Sequence, residues 1–257
     1  MRPLDPAGTL AAPLAELAAG VPRAAGWYGK LPALGDFATR RLPARFVASW
    51  DRWLAVGLAS SRERLGDAWL AAYLTSPVWR FFLMPGALAS EDEVGEACWS
   101  GVVMPSVDSV GRYFPLTIAA PFQAAPARSD ALADLWRWLG EIEEIALAVL
   151  RFDQPVAWLE AQLALHPPPD SRLVHGLSHY AAPLDALSVW AALAPCAPVA
   201  GPLIDSPADS LTDPLADSLT DSTTAPLASA AAAHALWVAP GLPDAELFIA
   251  MLTDARS

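Results

Sequence analysis

Lysine occurs once in the 257 residues, at Lys30, and cysteine twice, at Cys98 and Cys196. The two cysteines lie far apart and form no Cys-x-x-Cys pair, which excludes a disulfide framework and makes a reducing compartment the simpler reading. Uninterrupted apolar runs are also missing. The Ala-rich first twenty residues are broken by Pro3, Asp5, Pro6, Pro13 and Glu16, so no secretory core survives in them. Residues 186–204 are long enough to span a bilayer, but Pro195, Pro198, Gly201 and Pro202 crowd their second half. Residues 222–243 are mostly alanine, threonine and serine, with His234 among them. Neither stretch reads as a membrane helix, and the chain is expected to be soluble, cytoplasmic and without membrane insertion.

Positive charge is scarce in the second half. Residues 1–128 hold 12 basic and 11 acidic groups, net +1, whereas residues 129–257 hold 4 and 17, net −13. An acidic half with four arginines argues against nucleic acid or an anionic membrane as its partner. The plainer reading is solubility for a chain that is 54% hydrophobic and carries 11 tryptophans. That composition is globular for most of the length.

Residues 1–23 read as a flexible low-complexity lead-in. After Leu42-Pro43, the residues Phe46, Val47, Trp50, Trp53, Leu54, Gly57 and Leu58 recur at helical spacing and predict an amphipathic helix. Gly66 ends it, and Asp67 is expected to cap a shorter helix carrying Trp69, Leu70, Tyr73 and Leu74. Three strands follow, at 78–83, 99–104 and 112–119, with Pro115 suggesting an edge position or a bulge in the third. Between the first two, residues 91–96 read as an acidic loop. A long helix is predicted from Ser129 through Leu150. Its expected inward face is Leu132, Leu135, Trp136, Leu139, Ile142, Ile145 and Val149, and Glu141, Glu143 and Glu144 are expected to face outward. A helix opening at Pro155, strands at 187–193 and 236–239, and a helix at 244–252 complete the order. Clustered strands predict an α/β fold with a mixed, largely antiparallel sheet flanked by helices. One domain is expected over 24–255. The repeated string Ala-Asp-Ser-Leu-Thr-Asp, at 208–213 and 216–221, marks a disordered insertion at about 203–228. A calcium-binding repeat is the weaker alternative, since the glycines that would let its carboxylates converge are missing.

Motifs that would carry catalysis are largely absent. Gly29-Lys30 is followed by Leu31-Pro32, which offers no hydroxyl for magnesium, so no phosphate loop is present. Ser106 lacks the Gly-x-Ser-x-Gly elbow that exposes a nucleophile. His175 and His179 have a spacing that could suit a metal, but no acidic partner accompanies them. No metal site and no cofactor are expected. Two segments do concentrate glycine, proline, charge and aromatics: 26–43 and 104–115. Each is read as a turn that presents charge at the ends of strands and helices.

The strings Gly-Lys-Leu-Pro-x-x-Gly-Asp-Phe at 29–37 and Pro-Ser-Val-Asp-x-Val-Gly-Arg-x-Phe-Pro at 105–115 resemble the type VI secretion-associated TagF (ImpM) family. The likeness is dense over 26–122 and thinner beyond. It implies a three-layer sandwich with longin-like character. It also implies a non-enzymatic, post-translational regulator that represses assembly of the secretion machine by binding the forkhead-associated scaffold protein of that system. The signature or partner-binding positions are then Lys30, Gly35, Asp36, Phe37, Ser106, Asp108, Gly111 and Arg112. A hydrolase using Asp36, Asp108 and Lys30 is the alternative. The two segments are expected to lie side by side, with Lys30 or Arg112 facing Asp36 or Asp108. The oligomeric state is left open.

Overall fold

The computed structural model describes residues 24–88, 93–122, 129–169, 186–193 and 233–253. Outside them lie the lead-in, the 203–228 insertion, His175, His179 and Cys196. Among the described residues, seven strands form one sheet in the order β2-β1-β5-β4-β3-β6-β7, and every adjacent pair is antiparallel. The strands are β1 (Gly26–Gly29), β2 (Ala38–Arg40), β3 (Trp79–Leu83), β4 (Cys98–Met104), β5 (Leu116–Phe122), β6 (Leu187–Leu193) and β7 (Ala233–Pro240). The helices are α1 (Ala44–Leu65), α2 (Trp69–Thr75), α3 (Glu93–Glu96), α4 (Ser129–Arg151), α5 (Val156–Leu165) and α6 (Ala245–Thr253). The α/β fold class and the largely antiparallel sheet are as the sequence predicted. Two apolar clusters lie on opposite faces of the sheet, giving three layers.

Helix α1 begins after Pro43 and buries Phe46, Trp50, Leu54, Gly57 and Leu58, five of the seven residues picked out by their spacing. Trp50 packs on Phe46, Trp53 and Phe81 and donates to the Thr117 hydroxyl at 2.8 Å, so this indole is buried with its N–H satisfied. Helices α1, α2 and α6 share that cluster. On the other face, α4 buries Leu135, Trp138, Leu139, Ile142, Ala146 and Val149 against β4 and β5, with α5 alongside.

The structure corrects several expectations. Asp67 does not cap α2; it lies in a 3₁₀ turn, and α2 has no side-chain cap. Leu132 and Trp136 are exposed, and Trp138 takes the buried place, because the stripe that meets the sheet runs through 135, 138/139, 142, 145/146 and 149. Glu143 turns toward the sheet, where Arg80 Nε donates to it at 2.6 Å beneath the Trp136 ring. Pro115 precedes β5 rather than interrupting it, and β5 is an interior strand. Pro121 does lie within β5, opposite Trp99, but past Ala119, the last residue paired with β1, so its missing N–H leaves that ladder intact. Strands β1 and β2 and the short α3 were not predicted.

Candidate functional site

The two glycine- and proline-rich segments meet at one end of the β1–β5 pair. Antiparallel pairing sets Tyr28 opposite Thr117, bringing the residues after β1 beside those that precede β5. Contact is close enough that Gly29, at φ +135°, has no room for a side chain: a Cβ there would sit 2.1 Å from the Pro115 carbonyl oxygen. Past Gly29 the chain places Lys30 under the second segment, where it is 4% exposed.

Asp108 is the hub of the cluster. Its side chain is fully buried, and Lys30 Nζ donates to Oδ2 at 2.8 Å. Arg112 Nε donates to the same oxygen at 2.7 Å, while Oδ1 accepts the backbone N–H groups of Val110 at 3.1 Å and Arg112 at 2.8 Å. Four donors fill the roughly four acceptor positions of a carboxylate. Burial pushes this carboxyl up. The hydrogen bonds from Lys30, from the Arg112 backbone and side chain and from Val110 outweigh it and hold it well below the usual carboxylate range. The turn closes through the Gly111 N–H to the Asp108 carbonyl at 3.0 Å, with Gly111 at φ +81°.

Ser106 fastens the same segment from below. Its hydroxyl donates to the Lys30 carbonyl at 2.7 Å, and its backbone exchanges two hydrogen bonds of 2.9 Å with the Tyr73 hydroxyl on α2. The segments are also joined by the Ser109 N–H to the Leu34 carbonyl at 2.9 Å and by an Arg112 guanidinium donation to the Gly35 carbonyl. Asp36 stands apart: its side chain is 84% exposed and only approaches Arg112, at 4.0 Å. The expected juxtaposition is present, then, as Lys30 and Arg112 on Asp108, with Asp36 at its rim and out of reach of Lys30.

Phe37 lies above this pair, its ring 4.8 Å from Lys30 Nζ and 4.8 Å from the Phe114 ring, with Tyr28 stacked behind. The Tyr28 hydroxyl donates to Asp51 at 2.5 Å, and burial together with that carboxylate raises its pKa far above the ordinary phenol range. Phe37 and Val110 remain 46% and 65% exposed. The surface therefore shows two apolar side chains, one next in sequence to Asp36 and one two residues before Arg112, over the buried Lys30–Asp108 pair. Tyr28, Tyr73, Val110 and Phe114 were not among the expected site positions, although Val110 and Phe114 belong to the string at 105–115. Of these, Tyr73 carried a signal only as a core position of α2.

As chemistry, the arrangement holds charge in place rather than offering it. Asp108 has no acceptor position left for a substrate proton, Lys30 is committed to it, and Ser106 donates to a backbone carbonyl. Among the described residues no cluster of three or more His, Cys, Asp or Glu could hold a metal ion. No described helix is long and apolar enough to cross a membrane.

The fold is shared with known proteins. Residues 26–165 match the model of the TagF N-terminal domain, described as type VI secretion system-associated. The chain is also 32% identical to protein PA0076 of Pseudomonas aeruginosa PAO1, known from a crystal structure. That likeness covers 90% of this chain and 94% of the other, with a TM-score of 0.61. A comparison with curated proteins gave no match. The chain belongs to the TagF family, and its role is related to type VI secretion. Both signature segments fall inside the matched region, whereas β6 and β7 lie past its end yet continue the same sheet, and α6, also past it, packs on α1.

Proposed function

We propose that this protein is a non-enzymatic, cytoplasmic regulator that restrains type VI secretion after translation by binding the forkhead-associated scaffold protein of the system. The observation that carries the reading is the complete use of Asp108 by four internal donors. A general base needs a free lone pair aimed at its substrate. The hydrolase alternative gives that role to this carboxylate or to Asp36, whose side chain is 84% exposed and accepts the Phe37 N–H at 2.8 Å, with Arg112 4.0 Å away. What the cluster offers instead is a rigid surface with Phe37 and Val110 projecting from it, and exposed apolar residues on a preorganised frame are favoured binding anchors.

The test is titration of the purified scaffold protein against wild type and against Phe37→Ala and Val110→Ala, which remove exposed groups and leave the ion pairs in place. Loss of about tenfold or more in affinity, with an unchanged far-ultraviolet spectrum, supports the reading. Unchanged affinity in both variants removes this surface from the interaction. A saturable hydrolytic activity abolished by Asp36→Asn would replace the regulator with the enzyme.

A further inference from the structure

The two edges of the sheet are built differently. At one, β2 is three residues long and ends in Arg40, the kind of short, charged strand that blunts an edge. At the other, β7 runs eight residues and holds no Asp, Glu, Lys or Arg. Among the described strands it pairs only with β6. Trp237 turns inward, 4.9 Å from the Trp79 ring, while Leu236 and Val238 point to the opposite face. There the helical layer packs on β4 and β5. Leu236 and Val238, beyond it, stay 63% and 59% exposed.

A long, uncharged edge strand is a template for strand pairing, and this one has a symmetric core: Ala235-Leu-Trp-Val-Ala239 reads alike in both directions in size and polarity. Isologous contact requires a patch that complements itself under a two-fold rotation. An antiparallel pairing centred on Trp237 sets Leu236 against Val238 of the other copy, and Ala235 against Ala239. We infer that β7 pairs edge to edge with β7 of a second copy of this chain, continuing the sheet across a dimer. Charge favours the same occupant. At net −12 the copies repel at a distance, so they approach most easily along an edge free of charge, and salt strengthens the dimer. A charge-complementary partner strand would be released by salt instead. In that register residues 234–240 of the two copies face each other, about 24 Å of edge, which puts the contact at the small end of specific interfaces.

Sedimentation equilibrium on the full chain, over about a hundredfold range of concentration and at low and about 0.5 M salt, tests this. A monomer–dimer equilibrium that tightens with salt and is weakened about tenfold or more by Val238→Lys supports it. That substitution changes an exposed side chain, and an unchanged far-ultraviolet spectrum verifies the fold. The register is read separately: a mixture of Leu236→Cys and Val238→Cys proteins forms disulfide-linked dimers faster than either protein alone. Scaffold binding should survive Val238→Lys, because the signature surface lies toward the opposite sheet edge. A monomer at every concentration, a dimer indifferent to Val238→Lys, or a monomer whose β7 amides resist hydrogen exchange because another part of the chain covers them would each overturn the inference.

Discussion

Gly29→Ala and Gly66→Ala form a matched pair that separates crowding from backbone strain. Both glycines have positive φ, +135° and +51°, and a residue forced into a sparsely populated region costs about 1–3 kcal/mol. A Cβ at Gly66 meets nothing within 4 Å, so that substitution carries only the conformational share, about 1–3 kcal/mol and centred near 2. At Gly29 the added Cβ lies 2.1 Å from the Pro115 oxygen, against a floor near 3.0 Å for real contacts, so the two segments must part by 0.9 Å, the difference of the two. Leu31 and Leu116 on either side are buried and leave little room to relax. Overpacking of this kind adds about 1–3 kcal/mol, which brings Gly29→Ala to about 4 kcal/mol. At about 2–4 °C per kcal/mol for a chain of this size, the melting temperature drops by about 10 °C or more at Gly29 and by about 4 °C at Gly66. Thermal melts followed by circular dichroism, with urea titrations beside them, measure both. Equal losses would refute the claim that contact between the signature segments, rather than φ alone, demands glycine at 29.

Three further outcomes are expected. Asp108 has a lowered folded pKa, so its contribution is complete above about pH 5 and is lost as pH falls through the ordinary carboxylate range toward the folded value. Asp108→Asn should therefore differ from wild type in melting temperature near pH 7 and converge with it in acid. Arg80→Ala strands Glu143, whose side chain is 15% exposed, at a cost of about 3 kcal/mol, and urea unfolding should show much of that loss regained in the double variant Arg80→Met, Glu143→Leu. Because β6 and β7 extend the sheet from β3, tryptophan fluorescence and far-ultraviolet circular dichroism should give one coincident unfolding transition. Two transitions would place residues 186–253 in a separate unit.

What could be read from the sequence was what its own local pattern determined. Helix α1 shows its buried face in one stripe of aromatic and aliphatic residues, and β6 is an apolar run broken only by Ser188 and bounded as expected at 187–193. Strands β1 and β2 have four and three residues, too short for periodicity, and β1 exists because β5 lies beside it. The same logic hid half of the site. Lys30, Asp108 and Arg112 stood out as charges among turn formers, but Tyr73 looked like any aromatic on a helix face. Its hydroxyl gains a role only once α2 packs beneath Ser106. Val110 is an apolar residue in a turn, and its exposure follows from the Asp108 side chain folding back onto the turn's own N–H groups. Trp136 was assigned inward because helical spacing alone does not say where the sheet ends.

The single lysine has a physical reason that its neighbours supply, and the reason can be tested. Lys30 reaches one oxygen of Asp108 that Arg112 Nε already occupies, in a pocket where its side chain is 5% exposed and Phe37 covers the ammonium. An ammonium is a compact charge on a flexible stem, whereas a guanidinium is a planar fork with five donors. At position 30 that fork would meet a carboxylate whose other oxygen is taken by two backbone N–H groups. Its remaining donors would be buried without partners, which is costly. Lys30→Arg keeps the charge and still loses the fit, so it should melt well below wild type, close to Lys30→Met. Arg112 is the opposite case, with its side chain 53% exposed, and Arg112→Lys should melt near wild type because water satisfies whatever donors the turn does not. Melting curves of the three variants decide the matter. If Lys30→Arg proves as stable as wild type, the lysine answers to something outside the pocket, and the fit between the ammonium and the shared oxygen is not what selects it.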